Sequence, residues 1–177
     1  MTEEERTAVD EVMRSIIAKT KAPAALRLVF HDAGTFSVQD GSGGANASVR
    51  FELDRPENAG LRRPWGFVVE VRGAASACSL PPQLSRTRVQ AHKRLEGTAA
   101  EGLSYADLIA LAGAAAVAVC AGPSYSVLVG RVDAVGPDPE GRLPEETIAV
   151  DKLKAVFARQ GFSSREFVCL SGAHTVR

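Results

Sequence analysis

The sequence predicts an all-α fold, and three observations carry that prediction. Several segments place apolar residues at the three- and four-residue spacing of a helix with one buried face. Helix-start signals precede them: Thr2 before Glu3 to Glu5, Ser104 before Asp107, and Ser163 before Glu166. Glycines close them at Gly34, Gly122 and Gly161. The length of 177 residues suits one domain, and 45% hydrophobic with 24% charged residues is the balance of a soluble globular chain. Lys plus Arg and Asp plus Glu are 21 each, so charge gives no reason to expect a nucleic acid or an anionic membrane as partner. The longest apolar run, Leu108 to Ala121, is too short to cross a bilayer and reads as a buried helix.

The first helix is expected over residues 3–20, with Val9, Val12, Met13, Ile16 and Ile17 as its apolar stripe. The second begins at Ala22, tolerates Pro23 in its first turn and ends at Gly34, with Leu26, Val29, Phe30 and Ala33 on its buried face. Arg27 and His31 stand four apart on an adjoining face. A guanidinium beside an imidazole on a mostly apolar helix is costly unless chemistry there requires both. Residues 37–48, rich in Gly, Ser and Asn, form a loop; no Lys-Ser/Thr pair follows its glycines, so it is not a phosphate cradle.

Residues 62–88 show no helical period, and Phe67 to Val71 is strand-like. This stretch is expected to be an insert, either a surface loop or a retained non-coding segment, and transcript sequencing would distinguish these. An Ala-rich helix from Ser104 to about Ala121 follows, with small residues such as Gly113 that let a neighbour approach; it is expected to be the central helix. In the Gly/Pro loop from Gly130 to Gly141, Arg131 and Asp133 are expected to pair. Helices over 145–160 and from Ser163 onward complete the chain. The three cysteines, Cys78, Cys120 and Cys169, have no paired spacing and no secretory signal before them, which fits a reducing compartment.

The stretch Ala22 to Phe36 resembles the distal helix of the plant-type haem peroxidases, and Leu170-Ser171-Gly172-Ala173-His174-Thr175-Val176 resembles their proximal motif. Asn58-Ala59-Gly60-Leu61, Leu103-Ser104-Tyr105-Ala106-Asp107-Leu108 and Gly141-Arg142-Leu143-Pro144 match further blocks in the family's order. The likeness is greatest to the intracellular, ascorbate peroxidase-like branch. It implies a distal region over 1–130 and the start of a proximal region over 131–177.

By that resemblance His31 moves a proton between the oxygens of hydrogen peroxide, Arg27 stabilises the departing oxygen, and Asn58 fixes the His31 tautomer. His174 would ligate the iron of haem b, and Phe30 would line the pocket where ascorbate and cytochrome c peroxidases usually carry Trp. Phe keeps that wall apolar but donates no hydrogen bond. In the secreted and fungal branches an Asp and a Gly-Gly-Ala-Asp-Gly-Ser loop hold calcium. Here Asp32, Asn46 and Ser48 form either a weakened calcium site, with Asn in place of Asp, or a plain Asx loop. Thr175 matches a proximal cation ligand, for calcium or potassium.

The family domain continues well past its proximal His, so the chain reads as truncated. The Asp that accepts the proximal ring proton, a proximal Trp and the Arg used for ascorbate have no counterpart in it. The expectation is therefore a haem peroxidase that reduces hydrogen peroxide with a small donor such as ascorbate during oxidative stress. The alternative is a catalytically silent fragment that binds haem weakly or not at all. The resemblance places it inside the cell, in chloroplast or cytoplasm, with no targeting peptide visible.

Overall fold

The computed structural model describes residues 2–75, 102–145 and 147–175. Among them the all-α expectation holds: six α-helices, several short 3-10 turns and no strand. Helix α1 (Glu3–Ile16) starts in a capping box in which Thr2 and Glu5 satisfy each other's backbone N–H. Its stripe of Val9, Val12, Met13, Ile16 and Ile17 is buried throughout. The helix stops short of residue 20 because Ile17 leaves helical geometry, and the Lys21 ammonium donates to the freed Ile16 carbonyl at 2.7 Å.

Helix α2 (Ala22–Ala33) runs from Pro23 in its first turn to Gly34 at its C-cap. Its buried face differs from the expected one: Ala22, Ala25, Leu28, His31 and Asp32 point inward, while Phe30 stays 38% exposed. Helix α2 crosses helix α4 (Tyr105–Val119), the central helix, which packs on α1, α2 and α3. At Gly113 an added Cβ would lie 2.9 Å from Val29 Cγ2, so the crossing requires glycine.

The expected insert is corrected in its first half. Residues Arg62–Ala75 form helix α3, with Pro64 in its first turn. Leu61, Trp65, Val68 and Val71 recur at helical spacing and join the core, so burial overrides the strand preference of a Val-rich stretch. The rest of that stretch, 76–88, lies outside the described residues, as do Cys78 and His92.

The Arg131–Asp133 pairing is also corrected. Arg131 bonds Asp107 at 3.0 Å, whereas Asp133 accepts the first free N–H groups of α4, from Tyr105 and Ala106, and pairs with Arg50. Asp107 is nearly fully buried and accepts from the backbone of Gly130 and Arg131 as well. Helix α5 (Val150–Arg159) begins five residues later than the expected 145 because the chain first makes a separate turn, Ile148 N–H to Glu145 O. Helix α6 (Ser164–Ser171) carries the expected Ser163/Glu166 capping box and passes into a 3-10 turn, Gly172–Thr175, that reaches α2. Phe157 joins α5 to α6, stacking near Phe30 and lying 4.8 Å from Phe167 between ring centres.

Candidate active site

Helix α2 sets the site, because Arg27 and His31 lie one turn apart on it and face the 3-10 turn Pro56–Asn58. His31 is 9% exposed, and its Nδ1 lies 2.7 Å from Asn58 Oδ1. Asn58 is fully buried and donates through Nδ2 to the Glu52 carbonyl at 2.9 Å. A peptide carbonyl can only accept, so this bond fixes which end of the amide faces the imidazole. The ring therefore donates this bond from Nδ1.

The same turn holds the cation. Arg27 donates from Nη1 to the Ala59 carbonyl at 2.6 Å and from Nη2 to the Glu57 carbonyl at 3.1 Å. Gly60 follows with φ +85°, a left-handed conformation that favours glycine as the chain turns into α3. Phe30 meets His31 edge-on, ring centres 5.8 Å apart, and stacks against Phe157 at 6.3 Å. Arg27, Phe30, His31 and Asn58 thus form one cluster.

Asp32, Asn46 and Ser48 form a second, neighbouring group. Asp32 is fully buried and accepts from Ala47 N–H at 3.0 Å and Val49 N–H at 3.4 Å. Burial pushes its carboxyl from the ordinary 3.8 up to about 7; the two backbone bonds oppose that rise, and the Asp138 and Glu52 charges add to it. Asn46 accepts Ser48 N–H at 2.9 Å, an Asx turn, and donates to Asp138. Only Ser48 Oγ is a buried side-chain atom without a partner among the described residues. With the other oxygens engaged, this donor set as arranged does not fit calcium, which requires several converging oxygens. Among the described residues no three His, Cys, Asp or Glu side chains come together as a metal site.

His174 is exposed on the Gly172–Thr175 turn, the turn that reaches α2, with Thr175 closing it. Its imidazole is a donor type that suits haem iron, and the partly exposed Phe30 ring offers an aromatic surface beside His31. The residues present therefore fit haem. Sequence reading missed Glu52, whose backbone carbonyl orients Asn58; a carbonyl leaves no residue-type signal. It also missed the carbonyls of Glu57 and Ala59 that hold Arg27.

Comparison with known proteins shows the family. A family model described as peroxidase matches residues 6–177. The Arabidopsis thaliana protein described as "Putative L-ascorbate peroxidase 6" is 43% identical over 93% of this chain and 43% of its own length. The cytosolic L-ascorbate peroxidase 2 of Arabidopsis thaliana is 38% identical over 93% of this chain and 57% of its own. The chain spans about half the length of the curated relatives it matches. The crystal structure of the TL29 protein from Arabidopsis thaliana superposes with a TM-score of 0.70 at 28% identity, covering 97% of this chain and 73% of that one. A helix pairing Arg27 with His31, an Asn58 that sets the ring, and this breadth of similarity lead to one conclusion: the chain belongs to the peroxidase family.

Proposed function

We propose that this chain carries the peroxide-handling side of a haem peroxidase. It would reduce hydrogen peroxide with a small electron donor such as ascorbate, inside the cell and in response to oxidative stress. The observation that supports this most is the His31–Asn58–Glu52 relay, since it presents a base at a defined nitrogen. His31 accepts a peroxide proton at Nε2 and returns it to the departing oxygen, while Asn58 holds the Nδ1 proton throughout. Arg27 places a permanent cation beside that oxygen as negative charge develops on it. Its two carbonyl bonds hold the guanidinium in register with His31, and it has further N–H donors to offer.

His174 would hold haem b through its iron, and Phe30 would keep water from the distal wall. When bound, haem would supply the redox-active iron that takes and passes electrons. The relatives named L-ascorbate peroxidases support ascorbate as the donor class.

The test is a haem titration of the purified chain, then rapid mixing with hydrogen peroxide while recording the Soret band. Saturable one-to-one uptake, with a peroxide-dependent shift that His31→Ala abolishes, is expected. A second reading, a catalytically silent chain, draws on the exposure of His174 and of its neighbours Val168 (66%) and Leu170 (47%). Non-saturating uptake without a spectral response would favour it.

A further inference from the structure

Asp138 lies in a loop that sequence reading treated as connecting chain, yet it is 9% exposed and touches three distant segments. Its backbone N–H donates to Glu52 Oε1 at 2.7 Å, and its carbonyl accepts from Arg55 Nη2 at 2.7 Å. Arg55 also pairs with Glu52 Oε2 at 3.0 Å, so the main chain of Asp138 grips the segment that leads to Asn58. Within that segment the Glu52 carbonyl accepts both Arg55 N–H, at 3.0 Å, and Asn58 Nδ2. The Asp138 carboxylate reaches the other way. Its Oδ2 lies 2.6 Å from the Thr35 hydroxyl, one turn beyond His31, and its Oδ1 accepts from Asn46 at 3.2 Å.

One residue therefore fastens the helix that carries His31 to the turn that carries Asn58. The 2.7 Å bond between those two side chains joins separate segments, and a shift of a fraction of an ångström between them weakens it. We infer that Asp138 is a positioning residue: through Thr35 on one side and Glu52 with Arg55 on the other, it sets the His31–Asn58 hydrogen bond and with it the tautomer of His31. This rests on the reading of His31 as the proton-transferring base. It adds a residue that acts through Thr35, Glu52 and Arg55.

Nitrogen-15 NMR of the imidazoles in the haem-free protein tests it, because ring shifts report which nitrogen is protonated whether or not haem binds. The chain has 3 histidines, so His31→Gln assigns the signal. The control is Asn58→Ala, which should move the ring away from the Nδ1–H form. Asp138→Ala should change the ratio of the two ring forms by about five-fold in the same direction, the scale of one net hydrogen bond. Thr35→Val, which also removes the bond that its hydroxyl accepts from Gly44 N–H at 2.9 Å and its 3.0 Å contact with the Asp32 carbonyl, should shift the ratio at least as far, and the double variant should add little beyond it. Asp138→Asn, which can still accept from Thr35, should retain most of the wild-type ratio. If Asp138→Ala does not fold, Thr35→Val alone carries the test. A shift in Asn58→Ala with none in Asp138→Ala or Thr35→Val would overturn the inference and leave the site reading standing. No shift in Asn58→Ala would refute the site reading itself, and the inference with it.

Discussion

Replacing Asp32 with Asn should reverse its effect on stability between acid and neutral pH. The carboxyl is fully buried, and its folded-state value of about 7 lies well above the ordinary 3.8. The folded chain thus holds a proton that the unfolded chain has released. Stability from this group is fully present below about pH 4 and is lost as pH rises through about 7. At about 1.4 kcal/mol per pH unit, the loss reaches an upper bound of about 4 kcal/mol. Asn removes that penalty, but its amide N–H₂ must face one of the two backbone donors. The longer bond, Val49 N–H at 3.4 Å, is the one it gives up, at about 1 kcal/mol. Asp32→Asn should therefore be about 1 kcal/mol less stable than wild type near pH 4 and up to about 3 kcal/mol more stable near pH 8. Urea denaturation of both proteins across that range measures it, read as midpoint changes at constant slope. A difference that does not vary with pH would refute the reasoning. So would a calcium-dependent gain at neutral pH, because calcium would require the ionised carboxylate.

Three further substitutions test the packing. Gly113→Val should destabilise by about 1–3 kcal/mol, because even its Cβ meets Val29 Cγ2 at 2.9 Å; thermal melts would show it. Phe157→Ala should cost about 3–5 kcal/mol in chemical denaturation, since it empties the aromatic contact that joins α5 and α6 to Phe30. Ser163→Ala removes the cap of α6 and should cost about 1 kcal/mol, with the largest loss of hydrogen-exchange protection in that helix.

Much of the fold was legible because its signals are local. The Thr2 and Ser163 caps, the α1 stripe and the Gly34 stop depend on residues within one turn of each other. Helix α3 was missed because the β-branched run of Val68, Val69 and Val71 outweighed the helical spacing of Leu61, Trp65, Val68 and Val71, which burial against the other helices makes decisive. The inner face of α2 is rotated from the expected one, with Leu28, His31 and Asp32 buried where Phe30 was expected. In the site, Arg27 and His31 could be read from spacing and Asn58 from its block. The Glu52–Asp138 contact joins residues 86 apart, from a backbone N–H to a side-chain carboxylate, and no local residue pattern records it.

The Pro56–Asn58 turn gives the base its tautomer through Asn58 and tethers the cation through the Glu57 and Ala59 carbonyls. Under the proposed function the two chemical roles would share a single mechanical support and could not be adjusted independently through the loop. An insertion in this turn would then move both side chains together, so variation in the segment would act as a switch on the proposed chemistry and not as a fine control.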